Sequence, residues 1–142
     1  MIEKGDFVEW AEVYQDLYGT AFSSLEGQRA LGLDVVMDVD VQGARNIRRH
    51  VKDAILIYVL PPSLEVLERR LRERDTDDEK AIGIRIEKAH KEIKNCLWYD
   101  YLIFNEDLQK AEEEVKCIIL SERCRTSLQT SKVERLFKVI GP

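Results

Sequence analysis

Residues 35–41 read VVMDVDV, a β-branched run with carboxylates at alternate positions, Asp38 and Asp40. A continuous apolar run of roughly four to eight residues bounded by turn formers predicts a buried strand, and acids at its carboxyl end mark where it emerges at a site. Two carboxylates two apart on a strand share a side, so a cation, an arginine or a nucleotide donor is expected beside them. Two further runs resemble it: AILIYVL at 54–60, ended by Pro61-Pro62, and YLIF at 101–104. The intervening segments carry helical signals. Ser63 suits an N-cap ahead of the stripe Leu64, Leu67 and Leu71, and Thr76 to Glu79 has capping-box spacing ahead of Ile82, Ile86, Ala89 and Ile93. Residues 108–123 predict another helix. Strands alternating with helices imply a parallel α/β sheet, whose ligands gather at the carboxyl ends of the strands. Asp38, Asp40, Pro61 and Asn105 all fall at such ends.

Upstream, Phe22 and Leu25 predict a helix over 21–31, with Gly32 as its stop. The opening MIEKGDFVEWAEVYQDLYGT predicts a helix end at Gly5, then short strands carrying Phe7, Val8, Trp10, Val13 and Tyr14. Residues 43–50 predict a short helix with Arg45, Arg48 and Arg49 toward solvent, and the tail after Thr126 a final surface helix.

With 142 residues, 44% of them hydrophobic, one core is affordable and a single domain over 1–142 is expected. Twenty-two basic against 27 acidic residues give a net charge of −5, which argues against broad attachment to nucleic acid or anionic membranes. The three cysteines lack metal-binding spacing and read as reduced thiols. With no apolar run of about 18 residues and no export signal, the expected location is cytoplasmic.

The strings FVEWAEV, LYGT, VVMDVDVQG, VLPPS, RRLRER and FNED, in this order, resemble the guanylate kinase family from about Met1 to Arg125. The resemblance implies a nucleoside monophosphate kinase-like parallel sheet flanked by helices. It divides the chain into part of a GMP-binding subdomain at 1–20, a core at 21–71 and 87–142, and a lid at 72–86. It implies that Glu9 accepts from the guanine edge, that Thr20 reaches O6 or supports the acids, that Asp40 adds an acceptor, and that Tyr18 contacts the GMP phosphate. Chemistry supports the first of these: guanine offers N1–H and its 2-amino group as adjacent donors to one carboxylate, and adenine has no N1–H. From the residues alone, Glu9 reads as a solvated acid beside Trp10, and Tyr18 as a half-buried strand aromatic.

By the same resemblance Asp38 lies near Mg2+ and phosphate, for which a capping or salt-bridging role is the alternative. Arg70, Arg74 and Arg85 neutralise the transferring phosphoryl group, and Asn105 lies on the adenine side. Arg69 and Arg72 read as a solvated helix face. The implied reaction is phosphoryl transfer from Mg2+-ATP to GMP. Glu73-Arg74-Asp75 departs from the family's Gly-Arg-Gly, and Asn105-Glu106-Asp107 from its Asn-Asp-Asp.

The phosphate-cradling pattern G-x-x-x-x-G-K-[ST] occurs at none of the seven glycines. By resemblance the strand leading into that loop lies between 35–39 and 54–60, so both runs are expected to lack a neighbour. An N-terminally truncated form is therefore expected, which by itself is inactive, rearranges locally or self-associates through the unpaired strands. The alternative is a non-catalytic module that binds GMP or a phosphopeptide.

Overall fold

The computed structural model describes residues 7–13, 16–73 and 79–138, with the backbone alone at 8–13 and 16–19. The chain divides into two compact units, one formed by the N-terminal part through Leu56 with Leu97–Asp100, the other by Ile57–Cys96 with the remainder from Tyr101.

The first unit opens with strands β1 (Phe7–Val13) and β2 (Asp16–Ala21), an antiparallel pair with an irregularity between Phe7 and Glu9. Helix α1 (Phe22–Ala30) follows and stops where Gly32 takes a φ of +73°, a left-handed conformation that glycine adopts without a Cβ clash. Helix α2 (Val41–His50) buries Gly43, Ala44 and Ile47. Ala44, Ile47, Leu25 and Leu56 form the core of this unit, with Phe22, Met37, Val39, Trp98 and Tyr99 packed against it.

The strand expected at 35–39 is not formed. Residues 33–40 carry no regular secondary structure, and neither sheet among the described residues includes them. The alternation survives without the ladder: Met37 and Val39 turn toward the core, while Val36, Asp38 and Asp40 are exposed. A strand requires a neighbour to take its N–H and C=O groups, and this run has no ladder partner among the described residues. The two carboxylates are thus exposed rather than buried, which corrects the expectation drawn from their run.

Asp100 fastens this unit. Its Oδ2 accepts from Arg48 Nη2 and from the Leu56 N–H, both at 2.8 Å, while its own N–H donates to the Leu56 carbonyl at 2.9 Å. Arg48 is therefore half-buried and occupied, not turned to solvent as expected; Arg45 lies 5.8 Å from the centroid of the Trp98 ring, within cation–π range.

In the second unit, β3 (Ile57–Leu60) and β4 (Tyr101–Phe104) pair in parallel, Leu60 opposite Phe104. The unit also contains α3 (Leu64–Glu73), α4 (Glu79–Glu92), a 3-10 turn at Ile93–Trp98 that ends in the first unit, α5 (Leu108–Arg123) and α6 (Thr126–Phe137). The apolar stripes behave as expected: Leu71, Ile82, Ile103 and Ala111 are buried with Leu60. Ser63 Oγ accepts the Val66 N–H at 3.2 Å, as its N-cap position predicts. Thr76, the other predicted cap, lies outside the described residues. A two-stranded sheet leaves surface uncovered, and Val59 and Phe104 are each 53% exposed.

Two outcomes follow. Asp100→Ala strands the Leu56 N–H and the Arg48 guanidinium, so urea unfolding is expected to show a loss of about 2 kcal/mol, with Asp100→Asn losing less. Tyr101 donates its phenol O–H to Glu122 at 2.5 Å, and that bond to a carboxylate, followed by desolvation, raises the phenol's pKa above its ordinary 10.0. Because the folded value exceeds the unfolded one, this tie is complete below about pH 10 and disappears as pH climbs through the raised value. Burial raises the Tyr58 phenol as well, so spectrophotometric titration should show late-ionising tyrosine absorbance that Tyr101→Phe reduces by one tyrosine, leaving that of Tyr58.

Candidate functional site

The β1–β2 register brings together three of the four predicted acceptor-site residues. Glu9 stands opposite Thr20, and Ala11 opposite Tyr18. Directly opposed residues of an antiparallel pair share a face, as do residues two apart on one strand. Glu9, Tyr18 and Thr20 therefore occupy one face of the hairpin, an arrangement that strand pairing decides before any side chain is considered.

The fourth, Asp40, is the N-cap of α2. Its Oδ1 accepts the Gly43 N–H at 2.9 Å, and its main chain accepts the Ala44 N–H. Capping spends one carboxylate oxygen and leaves Oδ2 as an acceptor at the end of a helix whose dipole favours negative charge there. Gly43 permits this turn: a Cβ at that position would stand 3.0 Å from Val39 Cβ and 3.6 Å from Asp40 Oδ1. Asp38, two residues before the cap, is exposed and takes part in none of the hydrogen bonds or ion pairs among the described residues.

In the second unit the carboxyl ends of β3 and β4 carry Pro61 and Asn105 side by side, as the sequence predicted for these two. The Asn105 N–H donates to the Leu60 carbonyl at 2.7 Å, extending the ladder one residue past the strands. Asp107 is the N-cap of α5, accepting the Lys110 N–H at 2.9 Å. Asn105 uses only its backbone in these bonds, and its side-chain amide engages none of the described residues.

Arg70, half-buried on α3, donates from Nη1 to the Asn105 carbonyl at 3.0 Å and reaches the Glu106 carbonyl at 3.5 Å. Arg85 lies exposed on α4, and Arg74 is outside the described residues. Arg72, expected to be solvated, instead joins two helices. It donates from Nε and Nη2 to Glu68 on its own helix, at 3.2 and 2.8 Å, and from Nη1 to Glu79, the first residue of α4. The Glu68 carboxylate and then Glu79 push the guanidinium pKa further up. The Glu68 pairing was legible as i,i+4 spacing; the Glu79 pairing, across the 74–78 segment, was not.

No group of three metal-ligating side chains occurs among the described residues. Mg2+ held mainly by substrate phosphates needs only one or two protein carboxylates, so its binding does not require such a group. Asp38 offers one exposed carboxylate next to the α2 cap.

A family model described as guanylate kinase matches residues 1–122. The chain is 48% identical over 139 residues to the guanylate kinase of Syntrophotalea carbinolica, covering 98% of this chain and 66% of that protein. It is 44% identical over 126 residues to that of Geobacter metallireducens, covering 89% and 62% respectively. A crystal structure of guanylate kinase from Anaplasma phagocytophilum superposes with a TM-score of 0.72 at 27% identity, over 98% of this chain and 69% of the other. The chain thus spans about two thirds of the length of these relatives.

The cap at Asp40 can be tested directly. Asp40→Ala is expected to cost about 1 kcal/mol in chemical denaturation through loss of the N-cap. Gly43→Ala should also destabilise, although alanine gains about 1 kcal/mol in helix propensity, because the stiff β-branched Val39 must be displaced. A Gly43→Ala variant more stable than the parent would show that the close approach carries no weight.

Proposed function

This chain belongs to the guanylate kinase family, and on that premise we propose that it is the acceptor-side, lid and adenine-side portion of an ATP:GMP phosphotransferase. The observation that carries this reading is the register that sets Glu9, Tyr18 and Thr20 on one hairpin face. An acid opposite a hydroxyl residue on one face is the donor-acceptor set that guanine requires. The carboxylate takes N1–H and the 2-amino group together, and the threonine hydroxyl donates to O6.

In this reading Tyr18 contacts the phosphate of GMP, and Asp40 contributes its uncapped oxygen as a further acceptor. Arg70, Arg74 and Arg85 supply the positive charge that a transferring phosphoryl group needs on its equatorial oxygens. Residues 1–20 serve the acceptor side and 72–86 the lid. Asp38 would hold Mg2+ of Mg2+-ATP, and the ion would supply positive charge to the phosphates. The side chains of this chain bind and orient; no covalent intermediate on the protein is needed. Sites built to hydrogen-bond a particular group can reject an analogue lacking it by roughly 10⁴ to 10⁵, which makes guanine over adenine the selectivity to expect.

A second reading is a non-catalytic module for GMP or a phosphopeptide.

Calorimetry of the 142-residue polypeptide with GMP, AMP and a phosphopeptide separates the readings. GMP is expected to bind at least about tenfold more tightly than AMP, and Glu9→Gln to remove about 1.5–3 kcal/mol from GMP binding only. Equal affinities for GMP and AMP would eliminate the role given to Glu9, and phosphopeptide binding without GMP binding would favour the module. In a coupled assay with ATP and GMP this polypeptide is expected to remain at background. Turnover at roughly 1–100 s⁻¹ would show that it is competent alone.

A further inference from the structure

The loop at 105–107 is held from three sides. The Asn105 N–H is tied to Leu60 at 2.7 Å, the Asp107 carboxylate to the Lys110 N–H at 2.9 Å, and the Asn105 carbonyl to Arg70 at 3.0 Å. The first two ties are local consequences of the ladder and of the helix start. The third spans 35 residues of sequence and comes from the helix that leads toward the lid. A guanidinium beside peptide carbonyls forms charge-assisted bonds, stronger than neutral ones, and its planar fork can meet two adjacent carbonyls at once. Arg70 uses the fork in this way, with Glu106 as the second and longer contact, at 3.5 Å. Two of its five N–H groups are engaged on the loop, and the others are available to a phosphate oxygen.

We propose that Arg70 is a positioning residue for the 105–107 loop: it holds the Asn105 peptide in place before any nucleotide arrives, so that the Asn105 side-chain amide is presented to the donor base. One side chain thereby joins the lid-bearing helix to the adenine-side loop, in addition to the phosphate-neutralising part it has in the proposed function. The functional half of this inference rests on the adenine-side reading of Asn105, whereas the fastening itself does not. Lysine is a poor substitute because an ammonium is a point charge and cannot bridge two carbonyls in one plane.

Amide hydrogen exchange on the 142-residue chain tests the fastening. Arg70→Met keeps the apolar stem and removes the donors, and is expected to speed exchange at the Asn105 and Lys110 amides by about tenfold. The mid-α5 amides of Cys117 and Ile118 should be unaffected. Arg70→Lys should restore part of the protection. Exchange at Asn105 and Lys110 unchanged in Arg70→Met overturns the proposal; loss of protection throughout α3 and α5 would reduce Arg70 to a general stabilising role and overturns it equally.

The second readout is the ratio of ADP to IDP affinity, since the two bases differ at the edge an asparagine amide would read. The parent chain is expected to prefer ADP, and Arg70→Met to lose that preference. Faster exchange with an unaltered ratio would mean that the loop's shape has no part in recognition, and the positioning role falls. Equal binding of ADP and IDP by the parent would instead remove the reading of Asn105, leaving exchange to judge the fastening.

Discussion

An extended backbone must find hydrogen-bond partners, and that constraint decides which apolar runs of this chain become strands. IYVL and YLIF find each other, and their parallel ladder ends with Leu60 and Phe104 in register. VVMDV has the composition of a strand but no ladder partner among the described residues, and it carries no regular secondary structure. Side-chain hydrophobicity alone did not separate these cases. All three runs are rich in β-branched or aromatic residues, and pairing is what distinguishes them.

The same constraint positions the chemistry. Where the β3–β4 ladder ends, its last backbone bond holds Asn105, and the next turn is closed by Asp107 as a helix cap. Where the unpaired segment ends, Asp40 recovers a partner by capping α2, which directs a carboxylate to a helix N-terminus. In the hairpin, pairing rather than packing sets Glu9, Tyr18 and Thr20 on one face. In the proposed function these positions serve one reaction, and strand and cap geometry gives a physical reason for their placement.

Much of this was legible along the chain. The helix over 108–123 and the strand over 101–104 have the bounds that their periodicity predicted, Ser63 caps α3, and Gly32 ends α1 in the left-handed conformation. These are local signals, spanning one to four residues or one helical face. Asp100 was not legible. Its partners lie 44 and 52 residues away, and nothing around Trp98-Tyr99-Asp100 marks a carboxylate that will gather an arginine and a peptide N–H. Arg48 and Arg72 were read as solvated for a related reason: an arginine on a polar helix face looks the same whether it meets water or a carboxylate from another element.

By itself, then, the sequence determined the helices, three runs of strand composition and the family, because each is written in periodicity, capping or motif within a short span. Only the tertiary structure decided that 35–39 is no strand, that Asp40 is a cap, that Arg70 reaches the loop after β4, and that Arg72 joins α3 to α4. The Arg70 contact spans 35 residues and the Arg72–Glu79 pair joins two helices, so each follows from how elements pack. The missing ladder at 35–39 and the cap at Asp40 follow from which backbone groups find a partner, which composition does not state.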